Sequence, residues 1–452
     1  MRECQPSLSY RQIFRTWWPL AASWLLMACE QPLVNAVVAR LPSPEVNLAA
    51  WGGIVFPLSL IVEAPIIMLL AASTALCRDQ ESFLRVRRYM MLGGGGLTLV
   101  HGLVALTPLF SLVAGKAIRA PEEVLGPARV GLVLMLPWSW SIAYRRFHQG
   151  VLIRFGHSRA VGVGTLIRLT AETLVLGLGY ALRFVSGTAI AGLAISSGVI
   201  AEALYAGLRA RPVIRHEVRT APRAAAPVTL RSFLSFYIPL SLTSLLYMLV
   251  QPLGSAALSR MPEALASLAV WPVMSGLVFL FRSLGMAYNE VVVALIDRPV
   301  AVPRLRRFAW GLAGASSAAL FGIALTPLAR TWFSGISALS PELTALALRS
   351  VALAVPMPAL NALQSYYQGA LVNSGRTRGI TEAMGIFLLT SAFVLAAGVA
   401  WGRLEGLPVG LAAFSLGGTF QTLWLWYRSR SALRALREQA KPVYAPGRGD
   451  IN

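Results

Sequence analysis

Two stretches of this chain read almost alike: residues 31–42 read QPLVNAVVARLP, and residues 251–262 read QPLGSAALSRMP. Their glutamine, proline and arginine positions align at an offset of 220 residues. Farther along, residues 105–109 (ALTPL) return as residues 324–328, at an offset of 219. Because nearly one offset is kept over such a distance, the sequence predicts two tandem structural repeats.

The composition excludes a soluble domain. The 452 residues are 56% hydrophobic and only 13% charged, whereas a soluble domain carries about a quarter charged residues. Apolar stretches long enough to cross the ~30 Å hydrocarbon core recur throughout, and backbone in lipid must pair internally, so these stretches must be helices. We therefore predict an all-α polytopic membrane protein with about twelve transmembrane helices. The predicted spans cover residues 16–39, 47–75, 90–114, 124–147, 160–183, 186–208, 231–258, 266–296, 308–328, 341–371, 379–400 and 407–428.

Six spans in each repeat make the repeats parallel. An even number of crossings brings the second repeat into the membrane from the same side as the first, so the two are related by an axis along the membrane normal. We expect a six-helix lobe over residues 1–210, a cytoplasmic linker over 211–228 that is rich in arginine and proline, and a second lobe with a basic tail over 229–452.

The net charge of +21 is interpreted as an orientation signal. Its arginines are concentrated in the loops on one side of the predicted spans, which is the pattern of cytoplasmic loops. This predicts a multi-pass protein of the inner (plasma) membrane with both termini in the cytoplasm. We expect contact with membrane lipids and no nucleic-acid partner.

The repeat architecture favours transport over catalysis. Two lobes that face each other across a pseudo-twofold axis form a cleft at the middle of the bilayer, where transporters bind small-molecule solutes. The aspartates are Asp79, Asp297 and Asp450, all at span ends or in the tail, so a metal-dependent transferase is disfavoured. We predict no catalytic residue, cofactor or metal site, and a monomer is sufficient. No ATP-binding motif is present, so a gradient or the membrane potential is the expected energy source.

Charged residues inside spans are the first candidates for a site, because burying them in a membrane is costly. The offset of 220 pairs Glu63 with Ser283, next to Arg282. If the repeats are symmetric, Glu63 and Arg282 lie at matching depth on opposite sides of the cleft. They then form either a gate, as a salt bridge made and broken in turn, or a static buried pair. Arg282 alone is a candidate anchor for an anionic substrate, because its fork fits carboxylate and phosphate.

Three further residues are candidates along the same route. Glu30 lies midway along the first span and is a candidate for coupling to H⁺ or Na⁺, or else is bonded to a neighbouring helix. Asn289 and Glu290 follow Arg282 by about two turns, so they are expected to continue the same lining. Glu290 is a second coupling candidate, as is Glu63, although an interfacial carboxylate explains Glu290 as well.

Polar residues of other spans allow structural interpretations. Arg168 and Glu172 are four residues apart, which predicts an intrahelical pair. Glu202 is expected to meet arginines at the cytoplasmic side. Gln364 and Gln368, one turn apart, either line the cleft and bind substrate or hold helices together.

Several motifs resemble those of one transporter group. The six-plus-six arrangement resembles the multidrug/oligosaccharidyl-lipid/polysaccharide (MOP) exporter superfamily, which includes the multidrug and toxin extrusion (MATE) exporters. The motifs that carry the resemblance are Trp18-Pro19-Leu20, its repeat Ile238-Pro239-Leu240, and Tyr367-Gln368-Gly369-Ala370 followed by Asn373 to Arg378.

A narrower resemblance is to the progressive-ankylosis (ANK) branch. It rests on Trp17 to Ala21, Gln31 to Arg40, and Tyr288-Asn289-Glu290. This resemblance implies a secondary transporter that exports a small organic or phosphorylated anion by alternating access. A cation-coupled multidrug exporter and a flippase for a lipid-linked precursor are the alternatives. The seventh span carries Gln251 and no carboxylate, which departs from the cation-coupled pattern.

Overall fold

The computed structural model describes residues 8–183, 185–223, 227–296 and 301–439, and its regular elements there are all helices. The first repeat contains α1 (Tyr10–Ala28), α2 (Glu30–Val38), α3 (Pro44–Leu48), α4 (Phe56–Ile67), α5 (Leu69–Leu76), α6 (Gln80–Leu106), α7 (Glu122–Leu134), α8 (Leu136–Arg154), α9 (Arg159–Leu182) and α10 (Gly187–Val213). The second contains α11 (Leu230–Met248), α12 (Val250–Leu258), α13 (Ala264–Leu295), α14 (Ala301–Leu325), α15 (Pro327–Arg330), α16 (Pro341–Ser350), α17 (Pro356–Asn373), α18 (Arg378–Trp401) and α19 (Gly406–Gln439).

These helices confirm the predicted fold class. Ten segments of the described chain are long and apolar enough to cross a membrane, and α7–α8 and α19 complete the twelve. The fourth span was expected to end at residue 147 but continues as helix to Arg154. The sixth also runs farther, because α10 and a π-helical turn, Ile214–Val218, occupy the first part of the expected linker. Residues 224–226 of that linker lie outside the described ranges.

Proline breaks the first segment of each repeat at the same place. Pro32 and Pro252 lack the N–H that would bond four residues back, so the helix is interrupted just before them. The breaks fall at Cys29, between α1 and α2, and at Leu249, between α11 and α12. Each repeat therefore begins with a long segment made of two shorter helices.

One turn of π-helix changes the offset between the repeats. The second segment contains the π-helical turn Ala49–Val55, between α3 and α4, whereas its counterpart α13 is α-helical throughout. A π-helical turn accommodates one extra residue. The offset is accordingly 220 before the turn, where Leu48 matches Leu268, and 219 after it, where Pro65 matches Leu284. Glu63 thus corresponds to Arg282 itself and not, as the sequence suggested, to Ser283.

The first half of each repeat's opening segment packs on the opposite repeat. Helix α1 packs mainly on α13, and α11 packs mainly on α4. Trp17 Nε1 donates to the Leu284 carbonyl at 3.0 Å, and Tyr237 OH donates to the Pro65 carbonyl at 2.5 Å. These two bonds occupy matching positions, so α1 and α11 are exchanged between the repeats in a reciprocal way.

The exchanged helices are also tied at one end of the bundle, named here the Leu8 end. Arg85 Nη1 of α6 donates to the Val228 carbonyl at 3.0 Å, just before α11. Arg304 of α14 donates in the same way to the Leu8 carbonyl, just before α1. The positive-inside pattern predicts that the Leu8 end is cytoplasmic.

The other end, named here the Arg40 end, brings the two repeats directly together. Gly52 of the π-helical turn lies against Pro272 of α13, and a Cβ added at Gly52 would stand 2.2 Å from the Pro272 Cβ. Gly52 and Pro272 are equivalent positions at the offset of 220, so the pseudo-twofold axis passes between them. Only glycine allows this approach, which closes the Arg40 end.

Candidate functional site

A group of charged side chains is buried inside the first repeat, with Arg168 of α9 at its centre. Arg168 Nη2 lies 2.8 Å from Glu30 Oε2, at the first residue of α2. Arg168 Nε lies 3.6 Å from Glu202 Oε2 of α10 and 3.9 Å from Glu172 Oε1, one turn away on α9. Arg168 lies about 14 Å from the start of α9, and the hydrocarbon core is ~30 Å thick, so this cluster lies near the middle of the membrane.

A second arginine completes the contacts of Glu202. Arg145 of α8, only 5% exposed, donates from Nη1 to Glu202 Oε2. Gln149 Nε2, one turn later, donates to Glu202 Oε1 at 2.8 Å. Both carboxylate oxygens of Glu202 are therefore occupied. Glu202 does pair with arginine, but within the buried cluster and not, as expected, at the cytoplasmic side.

Glu63 lies close to this cluster but forms no ion pair among the described residues. Its side chain is buried on α4, and the guanidinium groups of Arg146, Arg145 and Arg168 act on its charge. No ion pair joins Glu63 to Arg282 among the described residues, so the gating salt bridge is not formed in this conformation. The charge that faces Glu63 comes from its own repeat.

Charge counting shows that the cluster is not neutral when all groups are ionised. Its ion-paired groups are three carboxylates, Glu30, Glu172 and Glu202, and two guanidinium groups, Arg145 and Arg168, so one negative charge is left over. Among the carboxylates that have an ion-pair partner, Glu172 is the least well paired. Its contact with Arg168 is at 3.9 Å, and its Oε1 accepts no hydrogen bond among the described residues. One bound proton or monovalent cation would balance the cluster.

The second repeat has neutral residues at the positions that match Arg145, Glu172 and Glu202. At the offset of 219, Arg145 becomes Gln364, Glu172 becomes Ser391 and Glu202 becomes Gln421. The match is also spatial. A Cβ at Gly198 would lie 2.3 Å from the Glu172 Cγ, and a Cβ at Gly417 would lie 2.4 Å from the Ser391 Oγ. The repeats share their backbone packing but differ in charge.

Arg282 is placed where the repeats meet. It lies on α13 two residues before Leu284, whose carbonyl receives the bond from Trp17. Arg282 is half-buried and forms no hydrogen bond or ion pair within the part of the chain that the structure describes. Asn289, farther along α13, donates from Nδ2 to the Ser365 carbonyl of α17 at 3.3 Å, and Glu290 is exposed. Arg282 thus remains an available cation.

The two candidate glutamines of α17 differ in their surroundings. Gln364 is 8% exposed, and its Nε2 donates to the Gly418 carbonyl at 3.1 Å and to Thr422 Oγ1 at 3.0 Å, both on α19. Its amide group therefore joins two helices, as the structural interpretation allowed. Gln368 is half-buried one turn later.

Two residues of the cluster were missed by the sequence analysis. The predicted fourth span ends at residue 147, which leaves Arg145 and Gln149 at its boundary, whereas α8 continues to Arg154 and places both well inside the helix. A usable signal was present, because Gln149 matches Gln368 at the offset of 219 and Arg145 matches Gln364. Carrying the candidate glutamines back to the first repeat would have identified both residues.

Comparison with known proteins finds solved structures with a similar fold. No protein-family model matches the sequence, and no curated protein matches it. An inward-facing multidrug resistance MATE family transporter of the MOP superfamily is similar to this chain at a TM-score of 0.72 and 13% identity, over 93% of this chain and 99% of that one. An outward-facing structure of such a transporter gives 0.62 and 16%, over 96% and 100%.

The lipid II flippase MurJ in an inward closed conformation is also similar, at a TM-score of 0.67 and 13% identity, over 93% of this chain and 90% of that one. These likenesses show a shared fold and give no support to the narrower ANK branch. The chain is a multi-pass membrane protein with the fold shared by MATE transporters and the flippase MurJ.

Proposed function

We propose that this protein is a secondary transporter that moves a small organic or phosphorylated anion by alternating access between its two repeats. The moving bodies are the lobes of residues 1–210 and 229–452, with α1 and α11 each moving with the opposite lobe on which it packs, and one chain is sufficient. In this proposal the protein lies in the inner membrane with both termini in the cytoplasm. The fold supports transport, since solved proteins that share it bear transporter and flippase names and have been captured facing inward and outward.

Arg282 is the observation that supports an anionic substrate. The ion-paired carboxylates of the buried cluster, Glu30, Glu172 and Glu202, are all held by Arg168 or Arg145. Arg282 has no such partner among the described residues and lies beside the inter-repeat contact of Trp17. A half-buried guanidinium with no partner in the protein is free to pair with an anion. Its planar fork binds carboxylate and phosphate through two parallel hydrogen bonds.

The cluster of the first repeat supports coupling to a cation. The excess negative charge fits one H⁺ or Na⁺. The second repeat offers no equivalent site, because the residues that match Glu30, Glu63, Glu172 and Glu202 are Val250, Arg282, Ser391 and Gln421. Binding of one H⁺ or Na⁺ changes the net charge of the cluster from negative to neutral. This removes the free-energy cost of moving a net charge through a low-dielectric environment. Glu30, Glu63 and Glu172 are the carboxyl groups proposed to carry this charge change, whereas Glu290 is exposed and lies outside the cluster.

The experiment is solute flux into proteoliposomes that contain wild type, Arg282→Gln or Arg282→Lys, with imposed pH, sodium and voltage gradients. The solutes are citrate, pyrophosphate, ATP and a lipophilic cation. We expect anion flux in the wild type, and a rise in KM of about 10- to 100-fold in Arg282→Gln, because a charge-assisted pair is lost. The exposed Arg307 on α14 supplies the matched control, Arg307→Gln, which should keep full flux.

Other results would point to the alternatives. Flux of the lipophilic cation that persists in Arg282→Gln would reject the anion substrate and favour a multidrug exporter. Movement of a lipid-linked diphosphate between leaflets, with no soluble anion transported, would favour a flippase.

A further inference from the structure

Arg40 connects the two repeats through the carbonyl end of a helical turn. It lies just after α2, and its guanidinium donates to the Ile336 carbonyl from Nη1 and to the Gly335 carbonyl from Nη2, both at 2.7 Å. Nη1 also donates to the Ala36 carbonyl in the last turn of α2, at 2.7 Å. One guanidinium thereby bridges the first repeat to the second.

Arg260 makes the same connection in the opposite direction. It lies just after α12 and matches Arg40 at the offset of 220. Its Nη1 donates to the Ile118 carbonyl of the first repeat at 3.2 Å, and its Nη2 donates to the Ala117 carbonyl. It also donates to Ala256 in the last turn of α12, as Arg40 does to Ala36. The two connections are related by the pseudo-twofold axis.

The acceptors are formed by a repeated local structure. Residues Ser111–Ile118 and Thr331–Ile336 are π-helical turns that end at the Arg40 end of the bundle. The last carbonyls of a helix lack intrahelical donors and carry partial negative charge. Arg119 at φ 62° and Ala338 at φ 49° then turn the chain into the left-handed region. This turn stops the helix and leaves its carbonyl end for a guanidinium of the other repeat.

These bonds differ in kind from the contacts at the Leu8 end. There, Arg85 and Arg304 tie the exchanged helices α11 and α1 to the opposite repeat, through the Val228 and Leu8 carbonyls. An exchanged helix can stay attached to the opposite repeat while the repeats separate, because it is connected to its own repeat at a proline break. Arg40 and Arg260 follow these breaks, and they join the ends of α2 and α12 directly to the opposite repeat.

We propose that Arg40 and Arg260 form a paired latch that holds the Arg40 end closed and must release for the transporter to open there. The proposal rests on the alternating access proposed above. Both are positioning residues, since they act through helix carbonyls and do not contact substrate. Because the latch is doubled by symmetry, losing one arginine weakens the closed state and losing both weakens it further.

The test measures the conformation directly, without substrate. Spin labels are attached at Glu122 and Glu342, exposed and equivalent residues at the Arg40 end, in a cysteine-free background. Distances between the labels are measured by pulsed electron resonance in nanodiscs. We expect each of Arg40→Gln and Arg260→Gln to raise the open-to-closed ratio about fivefold, and the double variant about 25-fold, as for independent hydrogen-bonded contacts. Arg40→Lys, which keeps the charge, should restore part of the closed population.

Arg330→Gln, an exposed arginine at the same end, is the matched control and should leave the distances unchanged. An unchanged distance distribution in the double variant would overturn the latch. So would a shift of equal size in Arg330→Gln. Failure of the proposed substrate would instead appear as absent anion flux with a normal shift in distances, so the two failures are distinguishable.

Discussion

Replacing Arg168 with glutamine is expected to destabilise the protein more than loss of any exposed arginine. The guanidinium lies 2.8 Å from Glu30, 3.6 Å from Glu202 and 3.9 Å from Glu172, counted from its nearest nitrogens. Removing it leaves carboxylates buried together with less positive charge to balance them. The cluster then carries two excess negative charges instead of one.

The size of this effect follows from the distances. With an effective dielectric constant of about 20, the attraction at the Glu30 distance is about 6 kcal/mol and at the Glu202 distance about 5 kcal/mol. The cost of desolvating Arg168 offsets most of this attraction. Breaking a buried ion pair by removing one partner costs about 3–5 kcal/mol. We therefore expect Arg168→Gln to lower the free energy of unfolding by that amount.

The assay is reversible unfolding in mixed detergent micelles, followed by circular dichroism. The double variant Arg168→Gln with Glu30→Gln removes one charge of each sign and should recover at least about 1.5 kcal/mol. Arg349→Gln is the matched control. Its pair with Glu405 is exposed, with Arg349 at 57%, so less than about 1 kcal/mol should be lost.

Two results would refute this reasoning. A loss below about 1 kcal/mol in Arg168→Gln would mean that its charge is already compensated by water or by protonated carboxyl groups. Additive effects in the double variant would mean that Glu30 and Arg168 do not interact energetically, whatever their separation.

Two further predictions concern packing and orientation. Gly52→Ala should lower the free energy of unfolding by about 1–3 kcal/mol, because the new methyl group meets Pro272. Gly93→Ala, with open space around it, should be neutral or stabilising. Equal thermal stabilities of the two variants would contradict the close approach of Gly52 to Pro272. In a cysteine-free background, Glu122→Cys should react with an impermeant maleimide added outside intact cells, and Glu81→Cys only after permeabilisation, since the positive-inside pattern places the Leu8 end in the cytoplasm. The opposite labelling pattern would show that the topology is the reverse of the predicted one.

The repeats and their breaks could be predicted from the sequence because they depend on local chemistry. Pro32 and Pro252 interrupt a helix wherever they occur within one. The same offset relates Ser9 and Thr229, whose side chains cap α1 and α11 by accepting from the backbone N–H three residues on. Such signals depend on the residue types alone and can be recognised without any knowledge of tertiary contacts.

The correspondence of Glu63 with Arg282 could not be obtained in this way. It depends on one extra residue taken up by the π-helical turn Ala49–Val55, and such turns have no clear composition. The offsets of 220 and 219 were both visible, but the sequence does not show where one gives way to the other. Opposite charges thus occupy equivalent positions in the two repeats.

The charged cluster could be predicted only in part, because arginine near the end of a span usually marks orientation. Arg145 lies near the predicted end of the fourth span at residue 147, so it fits that role as well as a place in the cluster. Whether an arginine at that position faces the cytoplasm or the protein depends on how far its helix continues. That depends on packing against α10, which only the structure shows.

The exchange of α1 and α11 has a consequence for how the protein is made. Helix α1 leaves the ribosome first, but its main packing surface, α13, is synthesised more than 200 residues later. At about 5–20 residues per second, α1 waits for at least about ten seconds with lipid around the face that will contact α13. The first six spans therefore cannot complete their fold during their own synthesis, and the two halves mature as a single unit once both are in the membrane.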